Sequence, residues 1–226
     1  MINKVQLINS IFFPRKSMNK NENDHLIPVE LNISVGVRFY LKNNTFNNIL
    51  FFHGNAEIAE EYSDIATFYH NYNINLIVAD YRGYGLSGGS PNKKNLHDDS
   101  LIVHDYVKKY LIDNNYMNKF FIMGRSLGSA SAAHIVVNRS DAIDGCIIES
   151  GFVTEHSLLS LMNIKPDDIS FTLSDGFENL KKFKSYIKPL LIIHGELDDI
   201  IPISQAEMLF VESVSNTKDM YKVQGA

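Results

Sequence analysis

The sequence predicts an α/β fold, a mostly parallel sheet with helices on both faces. From Leu31 onward, short and nearly continuous apolar runs alternate with stretches of helical spacing. Strands that read as unbroken apolar runs are those covered on both sides in a parallel sheet. Size agrees: 226 residues, 45% hydrophobic and 21% charged, suit one large α/β domain with a real core.

In chain order, residues 1–27 are expected to hold an N-terminal strand and a polar loop, the loop over Pro14–His25, and residues 28–226 the α/β domain. Strands are expected at Val35–Leu41, Asn48–His53, Asn75–Tyr81, Lys119–Met123, Ile143–Glu149, Pro189–His194 and Asp219–Val223. Helical spacing covers Ile58–Tyr72, Leu96–Leu111, the Ala- and Ser-rich Leu127–Asn138, and Ser204–Val214. In such sheets ligands bind beyond the carboxyl ends of the strands, so the residues just after each strand decide function.

Composition narrows the classes. A net charge of −5 with no basic stripe argues against nucleic acid as a partner. The single cysteine, Cys146, lies in an apolar run and cannot form an internal disulfide, which fits a reducing, cytoplasmic setting. The N-terminus has neither a bilayer-spanning run nor a signal-peptide layout. It also offers no acylation site. No metal-ligand spacing, no Gly-x-Gly-x-x-Gly after the first strand and no P-loop are present, so no cofactor is expected.

Gly-x-Ser-x-Gly occurs twice, at Gly124–Gly128 and at Gly85–Gly89. Chance alone yields such a match in roughly one chain in ten to twenty, so context must choose. A nucleophile elbow needs a strand, a sharp turn and a helix. Ser126 has them: FFIM precedes it and LGSASAAHIVV comes after. Ser87 sits in a Gly-rich stretch with no immediate helix and is expected to be structural. Attack on a carbonyl also needs donors for the oxyanion. The N–H of Leu127 supplies one, and the N–H of Asn55 or Ala56, in the turn after NILFF, the other. His53 reads as a turn residue and not as a base. Asp198, on the loop after PLLII, is the expected triad acid, in the order Ser, then Asp, then His. Asp199 would meet solvent or cap the next helix, and Glu149 is the reserve acid.

Together these residues resemble the α/β-hydrolase superfamily. Within it they are similar to small-lid serine hydrolases of the Bem46-like and ABHD13/ABHD17-like group, with serine aminopeptidase S33-type domains as looser relatives. The matching pieces are HGNAE at His53–Glu57, DYRGYGLSGG at Asp80–Gly89, GRSLGS at Gly124–Ser129 and ENLKKFKSYIKPLLIIHGELDDIIP at Glu178–Pro202. The resemblance implies that DYRGYGLSGG is a structural loop and that Gly151–Lys188 holds a small lid or the connection in its place. A short lid leaves an open acyl site, consistent with long or bulky acyl groups including lipidated peptides, and with peripheral membrane contact.

The resemblance also implies a base histidine after the last strand and a final helix on the sheet. Here the sequence reads Tyr221-Lys222-Val223-Gln224-Gly225-Ala226, and none of the eight histidines follows Asp198. His156, in the lid-like stretch, is the remaining substitute. Truncation after the last strand is the favoured expectation, a degenerate hydrolase used for binding or scaffolding the alternative. Loss of a base histidine costs roughly 10⁶-fold in turnover, with about 10³–10⁴-fold over water left by the oxyanion donors and binding. The expectation is a hydrolase of esters, thioesters or amides by family, with little or no turnover in this chain.

Overall fold

Alternate residues of the central strands face opposite sides of one sheet, and each side has its own core. In the computed structural model, which describes residues 3–226, the strands are β1 (Asp24–Glu30), β2 (Ile33–Tyr40), β3 (Asn47–Phe52), β4 (Ile74–Ala79), β5 (Phe120–Arg125), β6 (Gly145–Glu149), β7 (Leu190–Gly195) and β8 (Lys218–Val223). They form one sheet in the order β1-β2-β4-β3-β5-β6-β7-β8. Strands β3 to β8 are mutually parallel, and β2 runs antiparallel to both β1 and β4.

The helices are α1 (Lys4–Asn9), α2 (Ser63–Asn71), α3 (Lys93–Asp113), α4 (Gly128–Asn138), α5 (His156–Leu161), α6 (Asn179–Phe183) and α7 (Ser204–Glu212). Leu50 and Phe52 of β3 join Val103 and Val107 of α3, Ala130 and Ala133 of α4, and Leu209 of α7 in the larger core. Ile49 and Phe51 point the other way, to Ala66 of α2 and its neighbour Tyr62. The two clusters lie on the two faces of the sheet, and helices pack on both, with part of the second face left open beside β5 to β8.

The seven strands expected from the sequence form, each within about two residues of its expected bounds. The N-terminal segment is a correction. It contains helix α1 in place of the expected strand, capped by Asn3 Oδ1, which accepts from the amides of Val5 and Gln6 at 3.1 and 3.2 Å. An Asn at this position satisfies helix-start amides that a strand would have paired laterally. Leu7, Ile8, Ile11 and Phe12 are buried in the larger core. Strand β1 forms across the expected boundary between loop and domain. Only Ile27 is buried in it and it carries Pro28, the pattern of an edge strand, so its sequence gives little strand signal.

Candidate active site

Gly124, Ser126 and Gly128 form a corner that few sequences can make. Strand β5 ends at Arg125 and α4 starts at Gly128, so the chain reverses within two residues. Ser126 takes φ +49°, a left-handed conformation that strains any residue with a Cβ. A Cβ on Gly128 would lie 1.9 Å from the Phe52 carbonyl oxygen, and one on Gly124 would lie 2.4 Å from the Gly128 oxygen. Glycine is therefore required at both. The Ser126 amide donates to the Glu149 oxygen at 3.0 Å, fixing the corner to β6. Ser126 is half-buried, and its hydroxyl has no hydrogen-bond partner among the described residues.

That hydroxyl opens on a cavity of about 480 Å³ lined by Ser126, Leu127, Asn55, Ala56 and Asp198. All five residues singled out in the sequence thus meet at one place, beyond the carboxyl ends of β3, β5 and β7. Strain concentrates here: Ala56 (φ +60°) and Ser150 (φ +43°) line the same cavity. The Ala56 amide, however, donates to Asn55 Oδ1 at 3.1 Å. It is already spent on the turn, and this corrects its expected place among the oxyanion donors. The amides of Asn55 and Leu127 have no acceptor among the described residues, so they are the available pair.

Asp198 is held for its position. Its Oδ1 accepts from the amides of Ile200 and Ile201 at 3.0 and 2.8 Å. Oδ2 lies 3.6 Å from Nε2 of buried His194, which donates to the Ile201 oxygen at 2.6 Å. The Leu197 amide donates to the Ala226 oxygen at 2.6 Å, so Ala226 lies beside this loop. Asp199 is exposed, and no side chain caps α7.

Glu149 does not line the cavity. It faces Arg125, whose Nε is 3.9 Å away, and burial pushes its carboxyl up. Arg125 also meets Glu57 at 3.3 Å. Glu57 in turn accepts from the Gly54 amide at 3.0 Å and from the Tyr62 hydroxyl. Arg125 and Glu57 both line the cavity and brace the turn that carries Asn55. Their signal lay inside the HGNAE and GRS motifs.

Among the described residues, no histidine lines the cavity. His156 is exposed at the start of α5. His53 is buried, bonded through Nε2 to Asp80 Oδ1 at 3.1 Å and through Nδ1 to the Gly54 oxygen at 2.8 Å, a structural clamp. Ser87 Oγ accepts from the Gly36 amide at 2.9 Å and is buried, away from the site. Sequence reasoning missed the apolar walls: Ile11 and Phe13 from the N-terminus, and Leu158 and Met162 from the segment 151–188.

Comparison with known proteins identifies the family. The family model described as serine aminopeptidase, S33, matches residues 43–172. The chain is 30% identical over 171 residues to protein bem46 of Schizosaccharomyces pombe, covering 72% of this chain and 54% of that protein. It is 31% identical over 174 residues to α/β-hydrolase domain-containing protein 17B of Xenopus tropicalis, covering 74% and 55%. It spans just over half the length of these curated relatives. Among solved structures, Est1E from Butyrivibrio proteoclasticus with bound ferulic acid superposes with TM-score 0.74 at 18% identity, covering 89% of each chain. A soluble variant of monoglyceride lipase from Saccharomyces cerevisiae, bound to a substrate analogue, gives TM-score 0.72 at 16% identity over 94% of this chain and 89% of that one. On the family match and the mostly parallel, doubly covered sheet, the chain belongs to the serine aminopeptidase S33 family of α/β-hydrolases.

Proposed function

We propose that this chain is the hydrolase domain of a serine hydrolase that cleaves carboxylic esters, thioesters or amides through an acyl-enzyme on Ser126. One observation carries the reading: a strained serine at the β5–α4 corner opens on the same cavity as two unpaired amides and a held carboxylate. Ser126 Oγ attacks the carbonyl carbon. The amides of Asn55 and Leu127 donate to the developing oxyanion. The alcohol, thiol or amine leaves with a proton, and water then releases the acid. No described histidine lines the cavity, and the imidazole needed to carry these protons would be oriented by Asp198. A histidine a few residues past Ala226 would arrive beside the Asp198 loop, because the Ala226 carbonyl already meets Leu197. Apolar walls around the serine suit an acyl chain, including that of a lipidated peptide presented at a cytoplasmic membrane surface.

The test is labelling with a fluorophosphonate probe, on the 226-residue chain and on a chain carried on through a histidine. Expected are weak labelling of the first, strong labelling of the second, and none after Ser126→Ala. Labelling that survives Ser126→Ala refutes the reading.

A non-catalytic binding protein is the second reading. It is favoured by a groove of about 570 Å³ on the sheet, lined in part by Ile49, Phe121, Ile147 and Leu191. It requires that the extended chain also fail to label.

A further inference from the structure

The N-terminal segment runs along the wall of the candidate site and is anchored at both ends. At one end Lys4 Nζ donates to the Ser170 oxygen at 2.5 Å and pairs with Asp175 at 2.9 Å. Asn9 Oδ1 accepts from the Lys93 amide at 3.0 Å. At the other end Arg15 forks onto Glu61 at 2.7 and 3.0 Å and reaches the Ala56 oxygen at 2.7 Å. Between these anchors, Ile11 and Phe13 line the cavity that holds Ser126.

Asn55 joins this strap to the turn. Its Nδ2 donates to the Ile11 oxygen at 2.6 Å. Its Oδ1 accepts from the Phe13 amide at 3.0 Å and from the Tyr84 hydroxyl at 2.6 Å. One side chain thus holds the backbone on either side of residue 12, while the same residue lines the cavity. Phe13 is 64% exposed. Its ring is therefore free to meet a ligand at the cavity wall. Its neighbours on the cavity wall are apolar too: Leu158 and Met162 across from the strap, and Ile200 from the Asp198 loop.

We propose that residues 4–15 are a working part of the acyl site: Ile11 and Phe13 select linear acyl chains by length, and Asn55 is the positioning residue that holds them against the oxyanion turn. The reaction at Ser126 rests on the proposed hydrolase function; selection of the chain does not require it.

The experiment is calorimetric titration of the whole chain with hexanoate, octanoate and decanoate. In the unaltered protein, affinity rises by about fourfold per added methylene, the value of a buried CH₂ group. Phe13→Ala and Ile11→Ala flatten that rise to less than about twofold per methylene, and Phe13→Leu, still apolar, restores most of it. Asn55→Ala flattens it as well, although it removes no apolar wall atom. Phe13→Ala is expected to melt like the unaltered protein, since its ring is exposed. Ser126→Ala keeps the full chain-length dependence. A rise unchanged in both Phe13→Ala and Ile11→Ala, or no binding of any of the three acids, overturns the proposal. Failure of Ser126 labelling with the rise intact refutes hydrolysis alone; labelling with a flat profile refutes the strap alone.

Discussion

Ser126 stands at φ +49°, where an L-residue with a Cβ sits roughly 1–2 kcal/mol above the right-handed alternative. Under the proposed function, that strain aims the hydroxyl at the cavity. Ser126→Gly relieves it, whereas Ser126→Ala keeps the Cβ. The glycine variant is expected to be about 1 kcal/mol more stable than the alanine variant, read from urea midpoints. Both variants lose fluorophosphonate labelling. Ser87 is the control. Its Oγ is the buried acceptor of the Gly36 amide, so Ser87→Ala is expected to cost about 1–3 kcal/mol while labelling at Ser126 persists. The identical five-residue pattern therefore has opposite consequences at its two occurrences.

At the scale of elements, the corner depends on α4 approaching β3 so closely that no Cβ fits at Gly128. Gly128→Ala pushes backbone against backbone. It is expected to destabilise by about 1–3 kcal/mol or more and to slow labelling by displacing the Leu127 amide. The loop after β4 is fixed differently. Arg82 forks onto Asp99 of α3 at 2.7 and 2.9 Å, with both side chains buried, and also reaches Glu30. Arg82→Ala leaves a buried carboxylate without its cation, which costs about 3–5 kcal/mol. Thermal or urea unfolding measures this, and a loss under about 1 kcal/mol would show the pair to be dispensable.

Across the whole molecule, stability is expected to depend on pH through a histidine pair remote from the candidate site. His97 of α3 stacks on His134 of α4, with ring centroids 4.4 Å apart and planes within 7°. Lys182 of α6 donates to His97 Nε2 at 3.0 Å. Burial, then the charge of Lys182, push His97 down to about 2 and His134 down to about 4. Unfolded histidine titrates near 6.5, so between roughly pH 6.5 and 4 the unfolded chain binds more protons than the native one. The stability is complete above that window and is lost as pH falls through it. Melting temperature is expected to fall between pH 7 and 4.5, and His134→Gln to flatten the decline. Asp105, held down to about 2 first by Arg139, adds its loss only below about pH 4, so above that pH the decline belongs to the histidines. A pH-independent melting temperature in the upper window would refute the assignment.

The central strands, the two helix-covered faces and the serine corner were legible because each is a local pattern: apolar runs of strand length, helical spacing, and small residues where a turn must be tight. Asp198 and the Asn55 turn were legible for a related reason, since a parallel sheet places the ends of all its strands on one rim. Chain order therefore says which loops meet. What only the tertiary structure decided depends on distant partners. Residues 11–13 run along the cavity wall because Asn55, some 40 positions on, captures their backbone. An exposed edge strand and a segment whose hydrogen bonds go to remote loops carry no periodicity of their own, so their structure is dictated by what they pack against.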